Sequence, residues 1–357
     1  MSQVVSLMWR RLLLVAGVVS VFGAVCASLA PVVHHWKPVV QTAPVAGDAD
    51  DPAIWIDTRN PSRSLIIGTD KQGGALYVYD LQGRIVQVIE GLRRPNNVDV
   101  EYGLRLGNRR VDIAVTTERE AQRLRIYAIE GGRLREIGNP DGTRVFEGEQ
   151  GDATLPMGIA LYRRPRDGAI FAIVSRKSGP REGYLWQYQL ITDSSGQVSL
   201  RKVRALGRFS GNGEIEAVAV DDQLGYVYYA DERDGIRKYH ADPDHPRANE
   251  ELAVFGREGF EGDREGIAIY PTGRTTGYIA CVDQRAGDSV VYLFRREGTS
   301  SNPHAHDPAL AGLHTSADET DGIEMTHRPL GKRFPRGVLV MMNSSGRNFF
   351  LYPWKNP

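Results

Sequence analysis

The feature that most restricts the fold is a unit that recurs six times after Thr42. Each copy has an acidic residue, a short apolar strand, a Gly- or Asp-containing turn, a second apolar strand, a polar cluster and a third strand ending in an aromatic. The first copy runs from DDPAIWID through SLIIGTDKQGG to LYVYDLQG, and the second from NNVDVEYG through VDIAVTTERE to LRIYAIEG. Next come MGIALYRR with AIFAIVSRKSG, EIEAVAVDD with GYVYYADERDG, and REGIAIYP with GYIACVDQRAGD; the last joins TDGIEMTH, GVLVMMNSSG and NFFLYPW. Equivalent starts lie about 47 to 60 residues apart, the period of propeller blades. Short β-branched and aromatic runs bounded by Gly, Asp and Pro read as strands. We therefore expect an all-β chain folded as a six-bladed β-propeller, whose radial sheets bury both faces and leave short edges. The competing arrangement is a pair of β-sandwiches.

A chain of 357 residues, 41% of them hydrophobic, can bury a large core and is not disordered. Its 44 basic and 44 acidic residues cancel, which excludes the broad positive field that nucleic-acid binding needs. An anionic ligand must meet local cations or a metal. At the N-terminus, Arg10 and Arg11 precede an apolar run from Leu12 to about Val25, with small residues following, the order of a secretory signal peptide. The alternative is an uncleaved membrane anchor, because apolar character persists almost to Val33. The expected organisation is a signal peptide or anchor at 1–30, a linker at 31–46 and a propeller at 47–357, exported to the periplasm or medium or held at a membrane. Cys26 falls in the first segment and leaves Cys281 alone, so no internal disulfide staples the body.

Acids recur at the start of the first strand of the units: Asp50 and Asp51, Asp99, Glu214 and Glu216, Asp263 and Glu265, and Asp321. In a propeller these strands line the central channel, so the carboxylates should converge near one mouth and repel unless cations neutralise them. Oxygen donors in that number favour calcium, which accepts six to eight of them in irregular geometry. The turn after the second strand adds Asp70 with Lys71, Arg119, Arg176 with Lys177, Asp231 with Glu232, and Asp283 with Gln284. Three units thus bring cations to the site and two bring further acids. Metal together with Lys71, Arg119 and Lys177 suits a ligand with several negative charges, such as a phosphate ester. One Asp in a Gly-rich turn is an ordinary turn former; recurrence at one position carries the argument.

From about Gly47 to Trp354 the sequence resembles the β-propeller phytases, alkaline calcium-dependent enzymes that release phosphate from myo-inositol hexakisphosphate (phytate). The most specific stretches are GDADDPAIWID, TDKQGGALYVYDLQG and NNVDV, in that order. The resemblance implies that Asp50, Glu216, Glu232, Asp263, Glu265 and Asp321 bind the catalytic calcium ions. It also implies that Asp51, with backbone oxygens around Pro52 and NNVDV, forms a buried structural calcium site. Lys71, Arg119 and Lys177 fall on phosphate-holding cations, and with Glu216 and Asp263 they are the expected catalytic set. In such enzymes a metal-bound water or hydroxide attacks phosphorus in line. The implied partner is a small phosphate ester, acted on by a monomer without nucleic acid or protein partner.

There are departures from that family. Met157 stands where a Tyr is frequent, Gln72 follows Lys71 in place of a basic residue, and MMNSSG with Thr315 replaces acid-rich turns that bind a peripheral calcium. No RHGxRxP-type stretch supports a phosphohistidine route, and His304 and His306, in a Pro-flanked loop, are expected to be solvated. Two other readings stay open: a calcium-dependent propeller lactonase, which has no use for three clustered cations, and a ligand-binding propeller that has lost catalysis.

Overall fold

The computed structural model describes residues 35–355; the segment read as a signal peptide or anchor lies outside them. The chain opens with β1 (Val40–Gln41) and continues into blade 1, formed by β2 (Ala49–Trp55), β3 (Leu65–Asp70), β4 (Ala75–Asp80) and β5 (Ile85–Ile89). Blade 2 is β6 (Pro95–Leu106), β7 (Arg109–Glu118), β8 (Arg123–Glu130) and β9 (Arg133–Glu136). Blade 3 is β10 (Pro156–Arg163), β11 (Ile170–Arg176), β12 (Glu182–Thr192) and β13 (Val198–Arg208). Blade 4 is β14 (Val218–Asp221), β15 (Tyr226–Asp231), β16 (Gly235–His240) and β17 (Ala253–Phe255). Blade 5 is β18 (Arg264–Pro271), β19 (Gly277–Asp283), β20 (Val290–Arg295) and β21 (Ala311–His314). Blade 6 joins β22 (Ile323–Thr326), β23 (Val338–Asn343) and β24 (Asn348–Pro353) to β1, which pairs Val40 with Leu351. The stretch read as a linker therefore supplies the outermost strand of the last blade.

Alternation along the strands explains why these sheets stack. Successive side chains point to opposite faces, and both faces here are apolar. On β3, Ile66 enters the cluster shared with blade 6, while Leu65 and Ile67 enter the cluster shared with blade 2. On β7, Ile113 and Val115 face blade 3 and Ala114 faces blade 1. The hydrophobic clusters of the described residues number six, one at each blade–blade interface, including that between blades 6 and 1. The sheets thus close into the six-bladed ring expected from the repeat, and the sandwich arrangement is excluded. Every first strand runs from one end of the channel to the other. The turns after second strands open at the mouth, and the loops between first and second strands open on the opposite face.

Candidate active site at the channel mouth

Local devices repeated from blade to blade build the mouth. In four first strands the register slips by one residue just inside the mouth: between Ala49 and Pro52, Pro95 and Val98, Pro156 and Ile159, and Arg264 and Ile267. Such a bulge sets two residues against one and re-aims side chains. It is why the adjacent acids Asp50 and Asp51 serve two different places. The partner strand holds each of the first three bulges with a hydroxyl: Thr69, Thr117 and Ser175 accept the amides of Asp51 (2.9 Å), Asn97 (3.1 Å) and Gly158 (2.9 Å). A side chain at Gly158 would collide with the Glu216 carbonyl, since a Cβ there falls 1.8 Å from it, so glycine lets blade 4 bring Glu216 close.

The next residue of the second strand is a buried clamp. Asp70 accepts the amides of Gly47 (3.0 Å), Asp48 (2.8 Å) and Gly73 (2.7 Å). Glu118 accepts that of Arg93 (2.7 Å), Asp231 that of Ser210 (2.7 Å), Asp283 those of Glu261 (3.1 Å) and Gly262 (2.7 Å), and Asn343 that of Asp318 (3.1 Å). In blade 3 the position is Arg176, whose guanidinium donates to the Tyr184 and Gly183 carbonyls. In blades 1 to 5 the residue after the clamp faces the mouth: Lys71, Arg119, Lys177, Glu232 and Gln284. This corrects one expectation, because Asp70, Asp231 and Asp283 brace the turns and bring no charge to the site.

Around the opening, Lys71 Nζ touches Asp50 and lies 3.5 Å from Asp321 and 3.8 Å from Asp48. Burial pulls the pKa of this lysine down, but Asp50, Asp321 and Glu216 outweigh burial and hold it above its ordinary value. Arg119 donates to the Asn96 amide oxygen, the Asn96 amide donates to Glu216, and the guanidinium lies 3.9 Å from Glu216. Lys177 pairs with Glu214. Arg233 forks across Asp263 at 3.1 and 3.3 Å, and Gln284 donates to Asp321. Glu214, Glu216 and Glu232 present oxygens within 4.8 Å of one another, as do Glu232, Asp263 and Glu265.

The electrostatics are those of a cation site. Burial, then mutual repulsion, raises Glu265, Asp321 and Glu216, and lifts Glu232 to about 7. Asp50 Oδ2 and Glu265 Oε2 are buried without a hydrogen-bond partner. Unpartnered buried carboxylate oxygens cost free energy that a bound cation recovers, so an all-oxygen donor set of this kind fits a divalent metal. Asp51 lies deeper, in a channel cavity lined also by Pro52, Asn97, Val98, Asp99 and Glu324, and accepts the Val98 amide at 3.0 Å. Asp99 is down there too. It accepts the Leu161 amide at 2.7 Å and does not reach the mouth.

The Phytase family model matches residues 4–348. The chain belongs to the phytase family. It is accordingly a hydrolase of phosphoric monoesters. The 3-phytase of Bacillus subtilis (strain 168) is 30% identical over 342 residues, covering 90% of this chain and 85% of that one. Solved propellers share the fold at much lower identity. A gluconolactonase of Xanthomonas campestris aligns with TM-score 0.52 at 14% identity, covering 88% of each chain. Regucalcin of Agrobacterium tumefaciens strain C58, described as a calcium-binding protein, aligns with TM-score 0.53 at 11% identity, covering 90% of this chain and 96% of that one.

Within this phytase-family propeller, the acids Asp50, Glu216, Glu232, Asp263, Glu265 and Asp321 and the cations Lys71, Arg119 and Lys177 all gather at one end of the channel, with Asp51 below them. Reading the sequence missed Asn96, which ties Arg119 to Glu216, and Arg233, which covers Asp263. Met157 is buried at the mouth and brings no hydroxyl there. The histidine expectation fails at His306, which is only 2% exposed. Its Nδ1 lies 2.6 Å from the Arg295 carbonyl, so that nitrogen donates and Nε2 accepts from the buried Lys238 ammonium at 3.1 Å.

Proposed function

We propose that this protein is a calcium-dependent phosphomonoesterase that hydrolyses phytate after export from the cell. The observation that carries the reading is six converging carboxylates beside three cations at one channel mouth. The irregular oxygen donors suit calcium better than magnesium, which demands near-octahedral order. Asp50, Glu216, Glu232, Asp263, Glu265 and Asp321 would hold it, and Asp51 with the oxygens near Pro52 and Asn97 would hold a structural ion. When bound, calcium neutralises carboxylates and phosphate oxygens together and makes a nearby water a stronger nucleophile. The side chains do the positioning. Lys71, kept protonated by its acids, meets the reacting phosphoryl group as a point charge. Arg119, oriented by Asn96, offers planar paired donors. Lys177, nearer the rim, takes a neighbouring phosphate and so favours a substrate with several.

The test is phosphate release from phytate, with calcium and with excess chelator. Release is expected only with calcium, and Glu216→Ala or Asp263→Ala should lower kcat/KM by at least about a hundredfold in a folded protein. Turnover indifferent to the chelator overturns calcium dependence. Lactone cleavage without phosphate release moves the assignment to a lactonase.

A further inference from the structure

The three cations of the mouth are not held alike. Lys71 answers to three acids, Asp48, Asp50 and Asp321, and Arg119 is tied through Asn96 to Glu216. Among the described residues Lys177 and Glu214 have no ion-pair partner but each other, and both side chains are part exposed, at 34% and 28%. The backbones on either side of this pair are fixed. The Lys177 amide donates to the Leu155 carbonyl (2.9 Å), the Glu214 amide to Glu232 Oε2 (2.7 Å) and the Glu232 amide to the Glu214 carbonyl (3.2 Å). Gly213, at φ +71, permits this, because a Cβ there would lie 2.5 Å from Glu232 Oε2. The two side chains are therefore the movable parts.

Glu214 also faces a second way. It presents an oxygen within 4.8 Å of oxygens of Glu216 and Glu232. Asp50, whose charge bears on Glu216, has a buried Oδ2 without a hydrogen-bond partner. This side of the mouth thus holds more negative charge than its lysine balances. A divalent cation competes with an ammonium for a carboxylate at an advantage, since it brings twice the charge and gathers several oxygens at once. It also repels the ammonium, and the flexible four-carbon stem of a lysine lets the head turn to solvent.

We propose that Glu214 is a cation-operated latch on Lys177. Without metal it covers the ammonium and keeps anions from it. A divalent cation held by Glu214 with Glu216 and Glu232 draws the carboxylate away, and Lys177 is then free for a second phosphate of the substrate. Resting on the calcium-dependent function proposed above, the latch adds an order of events: metal first, then a substrate with more than one phosphate. Glu214 acts through Lys177 and is a positioning residue.

The probe is myo-inositol hexakissulfate, a polyanion that phosphate-ester hydrolysis leaves intact, titrated calorimetrically into the full chain with and without calcium. In the metal-depleted parent, where the lysine is latched, Lys177→Gln should change the affinity by less than about twofold. It should cost at least about tenfold in metal-depleted Glu214→Gln protein and in the parent with calcium, because a charged hydrogen bond is then lost. Glu214→Gln should also weaken calcium binding when no probe is present. An effect of Lys177→Gln that is the same in all three backgrounds, or calcium binding unaltered by Glu214→Gln, overturns the latch; phosphate release from phytate that still requires calcium then leaves the assigned function standing. Phosphate release indifferent to calcium overturns both.

Discussion

At the scale of single residues, the mouth stores repulsion that a cation relieves. Glu265 shows it best, with a buried oxygen that has no partner and a protonation equilibrium displaced upward by burial and by Glu216 and Glu232. Glu265→Gln removes a charge that the metal-free protein tolerates poorly. In chelator its melting temperature should equal or exceed that of the parent, while phosphate release falls by at least about a hundredfold; a large drop in melting temperature in chelator contradicts this account. His306 makes a separate case, because the groups facing it are Lys238, the Arg295 carbonyl and the rings of Tyr228 and Phe255, none of them acidic. Burial, then Lys238, lowers it to about 4. The unfolded chain takes up the proton first, so stability falls as pH drops from about 6.5 and levels off below about 4. Urea titrations at pH 7 and pH 4 should show His306→Gln losing on the order of 3 kcal/mol less than the parent. An equal loss in both proteins removes His306 as the cause.

At the scale of elements, the unit of construction is the end of a second strand, where Thr-Asp-Lys, Thr-Glu-Arg and Ser-Arg-Lys each supply a bulge holder, a clamp and a mouth cation. Asp70→Ala orphans the amides of Gly47, Asp48 and Gly73 together and should cost on the order of 3 to 5 kcal/mol in urea denaturation. It should also weaken phosphate release through displaced Lys71. Much of this was legible in the sequence: apolar runs gave the strands, their recurrence gave the blades, and acids recurring at one position gave the mouth. The division of labour between Asp70 and Lys71 was not legible, because strand composition does not say which of two adjacent polar residues turns inward. A bulge, which breaks strict alternation, leaves no compositional mark. Asn96 went unseen because its partners Arg119 and Glu216 lie far along the chain, and His306 because a polar loop sequence does not reveal that Phe255 and Tyr228 pack over it.

At the scale of the whole molecule, the ring depends on one borrowed strand. Thr42, just past β1, receives the Asn348 side-chain amide (3.2 Å), donates its own amide to Phe349 (2.9 Å) and accepts the Phe349 amide on its hydroxyl (3.0 Å). Deleting the chain through Thr42 exposes the edge of β24 and should lower the unfolding free energy of the entire propeller, read from urea titration, by several kcal/mol in one transition. Loss confined to blade 6, with the other blades melting as before, contradicts that coupling. The same stitch bears on synthesis. The Thr42 hydroxyl and the Phe349 amide are 307 positions apart, so the circle is sealed only when nearly all of the polypeptide has left the ribosome. Until then the finished sheets stand as an open arc with two raw ends, and the time spent in that arc sets how long a chaperone must shield it.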